Sequence, residues 1–408
     1  MPSVIIVAIS AYAAYILGLG VPGPKHAVLS RWHERYYDDY LGGKFIFWIE
    51  EQHRKYGPVV HITPDELHFL DADLWETVVT KTGRVDKYDW LSGRFCNDTS
   101  VLTTAPDSLH RVRRGALNPL FSRQRIVALQ DVIRKKLNIL IKRLENAKAV
   151  RAPVAIQRGF GAFSEDVIMQ YSFGHDYDSL KKEECAPILN DSFRFQRRRV
   201  TVFSELIEGD LPDAERADRR LQDEAQLVIA AGLATTTWAL SVGTFYLLRN
   251  PNVLARLRLE LDEAIPDYDP VNPTANLDRE AVRLSYSTTS RNVRLQPKPF
   301  EFNEWTIPAQ TPEIFPNSRS FVPERWLGSP RTKNGSPLER YFVGFGKGTR
   351  SCLGLKCELY LVFACLFRGF DLELFETDIT DVELAHDFFI PFSKLDSKGV
   401  RVFVKPRK

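Results

Sequence analysis

The sequence predicts a mainly α-helical fold with small β-sheets. Three observations carry that expectation. Leu221 to Arg249 and the stretch from Ser122 to Leu144 are long enough and patterned enough to be core helices. Alternating, strand-like segments are few and short, at Pro58 to Leu70 and around Val402-Phe-Val404. Near the C-terminus, a glycine-rich loop with one cysteine, YFVGFGKGTRSCLG from Tyr341 to Gly354, runs into the apolar helical segment ELYLVFACLF.

The chain has 408 residues, 44% hydrophobic and 26% charged, enough for one large globular core. Its net charge of +3 gives no argument for nucleic acid or an acidic partner. The five cysteines, 96, 185, 352, 357 and 365, are odd in number and irregularly spaced, which argues against a disulfide framework and against a zinc site.

Val4 to Val21 is an apolar run of 18 residues, about 27 Å as a helix and close to the thickness of a bilayer core. No basic residue precedes it, while Lys25, His26, Arg31 and Arg35 follow, which puts the bulk of the chain on the cytoplasmic side. A cleaved signal peptide and a buried helix are the alternatives. Pro22-Gly-Pro24 then forms a stiff hinge. Phe45 to Tyr56 has the pattern of a short amphipathic helix, and Thr63-Pro64-Asp65 marks a turn between two strands. His110-Arg-Val-Arg-Arg114 belongs to a helix running to Leu117, with His110 and Arg114 on one face. On its own this is a solvated basic face. Ser122 can cap the next helix, whose stripe of Ile126, Leu129, Val132, Ile133, Leu137, Leu140, Ile141 and Leu144 is core.

In the long helix closed by Asn250-Pro251, Gly232 and Thr235-Thr236-Thr237 sit among apolar residues. Threonine hydroxyls there can bond back to carbonyls one turn earlier and bend the helix. Glu280 and Arg283 share a helix face at i,i+3, and Phe321-Val-Pro-Glu-Arg325-Trp326 follows. In the terminal loop, Gly346 and Gly348 permit backbone conformations that turn N–H groups toward the Cys352 sulfur, and the next helix would add its N-terminal dipole. Both stabilise a thiolate, and Arg350 supplies a fixed cation.

Phe345-Gly-Lys-Gly-Thr-Arg350-Ser-Cys352-Leu-Gly354 resembles the haem-binding loop of the cytochromes P450. The threonine helix, E-x-x-R and P-E-R motifs occur in the order that family has, and segments such as HRKYGPVV and ERWLGS are similar to fungal secondary-metabolism members of the trichodiene oxygenase type. The resemblance implies the P450 fold, truncated in places, with an anchor helix at 1–21, a hinge at 22–24 and a catalytic domain at 25–408. It implies haem b (iron protoporphyrin IX) with Cys352 as iron ligand and with Phe345, Gly346, Gly348, Arg350, His110, Arg114 and Arg291 around it, the last three and Arg350 toward the propionates. It implies that Gly232, Thr235 and Thr236 line the oxygen side, and that Glu280, Arg283 and Arg325 form a structural ion network.

The implied reaction is oxidation of a hydrophobic small molecule, such as a terpenoid or polyketide, by O2 with electrons from NADPH-cytochrome P450 reductase. The setting is the endoplasmic reticulum membrane, with the catalytic domain in the cytosol and no nucleic acid involved. Several features depart from the family pattern. The acid before the threonine pair is Ala234. The segment between Phe193 and Pro212 is short for the roof of a substrate pocket. Pro266, Pro270 and Pro273 crowd Glu280; Ile307 runs almost directly into Pro312-Glu-Ile-Phe-Pro316; and Cys352 lies close to Glu358. These breaks fall between intact motifs, as mis-spliced exons or a decaying gene would leave them. An inactive relic and an O2-independent isomerase or dehydratase on the same fold are therefore the competing readings.

Overall fold

The computed structural model describes residues 21–70, 86–89, 93, 97–183, 185, 202–208, 211–269, 321–342, 348–352 and 357–407. The expected anchor helix, Glu280, Arg283, Arg291, Phe345, Gly346, the 307–316 stretch and most of 193–212 lie outside these residues. The described residues form two compact units.

The first unit contains residues 21–70, with 321–342, 348–351 and 384–392. Helices α1 (Lys25–Leu29) and α2 (Trp32–Arg35) lead into a π-helical turn at Tyr36–Tyr40, then α3 (Phe45–Tyr56). Helix α3 buries Phe45, Trp48, Ile49, Gln52 and His53, the single face that its i, i+3, i+4 pattern predicts. That face packs with Ala27, Val60 and Ile62. Full burial of each large apolar chain contributes roughly 1.5–3 kcal/mol. Strands β1 (Val59–Thr63) and β2 (Glu66–Phe69) pair antiparallel, Val60 opposite His68, around the predicted turn. Arg31 ties that turn down through Glu34 at 2.8 Å and Glu66 at 3.0 Å. His53 is held between the Gly57 carbonyl and His68 Nδ1, each 2.7 Å away, and burial lowers its pKa.

A two-residue-per-strand hairpin, His386–Asp387 with Pro391–Phe392, docks on the turn after the π segment. The Asp387 N–H donates to the Gly43 carbonyl at 2.8 Å. Gly43 has φ +67°, and a Cβ there would fall 2.6 Å from the Asp387 carbonyl oxygen, so the approach requires glycine. Arg325 lies in a single 3-10 turn at Pro323–Trp326, where its Nε donates to the Val322 carbonyl at 3.2 Å.

The second unit holds the helical core. Helices α4 (Asp107–Leu117), α5 (Arg123–Val150), α6 (Ile156–Phe173), α7 (Val202–Glu208), α8 (Asp218–Arg249), α9 (Pro251–Ala264) and α10 (Cys357–Gly369) belong to it. On α5, Leu129, Ile133, Leu137, Leu140, Ile141 and Leu144 are buried as the stripe predicts, with Val132 half-buried. Ser122 occupies the N-cap position of α5, but its hydroxyl makes no capping bond, contrary to expectation. Helix α6 packs lengthwise on α8 and buries Ile156, Phe160, Phe163, Val167 and Met169. Helix α10 adds Phe363 and Phe367, both fully buried, with rings stacked at 5.8 Å. A three-stranded antiparallel sheet closes the unit, with β5 (Arg401–Pro406) between β3 (Val154–Ala155) and β4 (Phe370–Leu374). Val402 and Val404 alternate inward along β5. Among the described residues, α8 is the one helix long and apolar enough to cross a membrane; here it packs within this unit.

Candidate active site

Helix α4 is positioned at its start by Asp86, whose carboxylate accepts from the Asp107 N–H at 2.7 Å and satisfies one of the open donors of the first turn. This sets the face that carries His110 and Arg114. His110 is buried, and Arg114 is half-buried. Burial lowers the pKa of the Arg114 guanidinium, and the Cys352 sulfur raises it in part. The two groups are electrostatic neighbours within the second unit, and Arg114 Nε also donates to Asn118 Oδ1 at 2.7 Å.

Of the described cysteines, Cys352 is exposed and Cys185 and Cys365 are buried. Burial pushes the Cys365 thiol up to about 12, which makes it an inert filler of the α10 core. A metal ligand must be a thiolate that a cofactor can reach, and Cys352 has the access. The residues before it make one 3-10 turn, Gly348–Arg350, with Gly348 at φ +72°. Arg350 is half-buried at the end of that turn.

Helix α8 is unbroken from Asp218 to Arg249. Thr235 donates to the Ala231 carbonyl and Thr237 to the Leu233 carbonyl, both at 2.7 Å, the back-bonding that the sequence predicts. Ala230 and Ala231 are exposed, and Ala234, Thr235, Thr236 and Trp238 are half-buried, in the middle of a helix whose other positions are largely core. Gly232 has a packing reason of its own. A Cβ there would sit 3.0 Å from Ile168 Cγ1 on α6, so the glycine lets the two helices approach.

One feature escaped sequence reasoning. Arg113, the residue before Arg114 on α4, makes a bidentate pair with Glu215, Nε to Oε2 at 2.7 Å and Nη2 to Oε1 at 3.0 Å, and donates to Thr104 at 2.7 Å. Arg220 joins Glu215 at 3.1 Å and pairs with Glu224, whose other contact is the Val101 N–H at 3.0 Å. Burial alone would raise the Glu215 pKa, but Arg113 and Arg220 hold it below the usual range. The network fastens α4 and residues 99–104 to the start of α8. The sequence signal was a dense group of charges just before an apolar run, Asp218-Arg-Arg-Leu-Gln-Asp-Glu224, which reads equally well as a solvated face.

The described residues form a helical core with small antiparallel sheets and place an exposed thiol near a guanidinium. Among the described residues no cluster of three or more His, Cys, Asp or Glu could hold a metal ion. Comparison with known proteins fixes the family. The family model Cytochrome P450 matches residues 192–395. The cytochrome P450 monooxygenase sdnE of Sordaria araneosa is 34% identical, covering 96% of this chain and 96% of its own length. Tryptophan 6-hydroxylase fscE of Fusarium equiseti is 34% identical over 94% of this chain and 91% of its own. The cytochrome P450 monooxygenase tpcC of Cochliobolus heterostrophus is 32% identical over the same shares. The chain belongs to the cytochrome P450 family and is an oxidoreductase acting on a small molecule; the family implies a haem iron cofactor. The match to sdnE runs over 498 positions against a chain of 408 residues, so that relative carries segments this chain lacks. The residues present suit haem: an accessible thiol for the iron and a half-buried guanidinium beside it for an acidic edge.

Proposed function

We propose that the protein is a haem-thiolate monooxygenase of fungal secondary metabolism, using O2 and electrons from an NADPH-dependent reductase, held at the endoplasmic reticulum membrane by residues 1–21 with its catalytic domain in the cytosol. The observation that carries this reading is the accessible Cys352 sulfur within electrostatic reach of Arg114, while Cys185 and Cys365 are buried. Haem b bound there would supply dioxygen activation by two electrons.

Cys352 is the proposed iron ligand, and Phe345, Gly346 and Gly348 are proposed to belong to the loop that holds it. His110, Arg114, Arg291 and Arg350 are proposed to hold the propionates, and Glu280, Arg283 and Arg325 to brace the loop's surroundings. Thr235 spends its proton on the Ala231 carbonyl, which leaves its oxygen to accept from a water. Thr236 follows on the half-buried stretch, and Ala234 has no proton to give. The substrate class rests on the relatives: one named tryptophan 6-hydroxylase and others named monooxygenases support a hydrophobic small molecule, such as a terpenoid, polyketide or aromatic compound.

Two competing readings have support of their own. The segments missing relative to sdnE favour a relic, and Ala234 favours an O2-independent isomerase or dehydratase. The test is a reconstituted assay of NADPH consumed against peroxide released. A placed proton donor contributes roughly 10²–10⁴-fold to a rate. Ala234→Glu is expected to lower the peroxide per NADPH, and Thr235→Ala to raise it. If neither substitution changes the ratio, or NADPH consumption does not need O2, the monooxygenase reading fails.

A further inference from the structure

Arg114 is a half-buried cation without a carboxylate. Its Nε donates to Asn118 Oδ1 at 2.7 Å, and among the described residues no Asp or Glu pairs with it. Withdrawing such a charge from water is costly unless an anion meets it. A helix free to rotate would relieve the cost by swinging Arg114 outward. Its own contacts do not prevent that, since one amide oxygen on the next turn of the same helix moves with it.

The residue before it does prevent it. Arg113 is buried, and its fork closes on Glu215 with bonds of 2.7 and 3.0 Å, while its third arm donates to Thr104 at 2.7 Å. Successive helix residues point about 100° apart, so holding Arg113 fixes the direction of Arg114. The brace is itself braced. Glu215 lies in the 3-10 turn Asp213–Arg216 ahead of α8 and accepts from Arg220 Nε at 3.1 Å. Arg220 pairs with Glu224, which accepts the Val101 N–H at 3.0 Å. Asp223 beside it accepts from the Thr99 N–H at 3.0 Å and the Thr99 hydroxyl at 2.7 Å. Every contact of the Arg113 side chain is therefore with a group that α8 also holds, directly or through residues 99–104.

Stability alone does not account for so much buried charge. Apolar side chains of similar volume hold two elements together as well as a buried ion pair does, and often better. What a guanidinium fork adds is direction, because two parallel bonds fix the plane of the group. We propose that Arg113, held by Glu215 and Arg220, is a positioning residue for Arg114: it keeps that guanidinium in place to receive an anionic group of the cofactor. This rests on the haem reading above, in which Arg114 meets a propionate, and the test separates the two.

Full-length ferric protein is loaded with haem and mixed with excess apomyoglobin, and haem transfer is followed by absorbance. Arg113→Lys keeps the charge and loses the fork, and Glu215→Gln removes the partner's charge. Val402→Ala, at a buried strand position outside the network, is the control for lost stability, with urea midpoints measured for every variant. Arg114→Gln is expected to speed haem release about tenfold, as the loss of a charge-assisted bond. Arg113→Lys and Glu215→Gln are each expected to speed it about threefold, with no further gain when either is combined with Arg114→Gln, because they act through the same group. Val402→Ala is expected to leave release unchanged. Release speeded by Arg114→Gln but by neither Arg113→Lys nor Glu215→Gln overturns the positioning role and leaves the propionate contact standing. Effects that multiply in the double variants, or an equal speeding by Val402→Ala, overturn it in the same way. Release unchanged in Arg114→Gln overturns the propionate contact, and the positioning role with it. Protein that takes up no haem overturns the haem-thiolate reading and all that rests on it.

Discussion

Cys352 and Cys365 lie on either side of the start of one helix, yet burial gives them opposite chemistry. A thiol pushed up to about 12 has roughly one part in ten thousand as thiolate at pH 8, and the thiolate is the nucleophile. Iodoacetamide at pH 8 is therefore expected to alkylate Cys352 in the haem-free folded protein at least tenfold faster than Cys365, read by peptide mass spectrometry. Raising the pH to 9 should not bring Cys365 into play. Equal rates at the two positions would contradict the burial argument. The distinction was legible in the sequence, because Cys365 stands inside an apolar helical run and Cys352 in a glycine loop. The reason for Gly232 was not. Its steric partner, Ile168, lies on a different helix, and nothing local to Gly232 announces the approach. A glycine beside threonines reads the same whether it opens a groove or admits a neighbour.

At the level of elements, helix α4 carries neighbouring side chains with different purposes. His110 and Arg114 were legible as a pair by their spacing. Arg113 was not, because Glu215 is its partner only once α4 and the start of α8 have been brought together. Removing one member of a buried pair leaves an uncompensated charge, at a cost of about 3–5 kcal/mol. Arg113→Ala is expected to lower the unfolding free energy by that order in urea titration, with Arg111→Ala, at an exposed position, changing it by less than about 0.5 kcal/mol. A loss below about 1 kcal/mol for Arg113→Ala would show that the network does not fasten α4. Strands β1 and β2 pair around the Thr63-Pro64-Asp65 turn as read, but not as alternating strands: β1 is buried at all five positions, while β5 does alternate about Val402 and Val404. The Ser122 cap failed because a capping residue type names a helix start without guaranteeing the bond.

For the whole molecule, the family model covers residues 192–395, while the alignment to sdnE covers 96% of the chain and is longer than the chain itself. The account turns on Cys352 as the sulfur that holds haem iron. The direct measurement is the reduced carbon monoxide difference spectrum of the full-length protein and of its Cys352→Ser and Cys365→Ser variants, expressed with haem precursor. The account predicts a thiolate-type band in the wild type and in Cys365→Ser, and its loss in Cys352→Ser. A thiolate-type band that survives Cys352→Ser, or a wild-type protein with no such band, would contradict it.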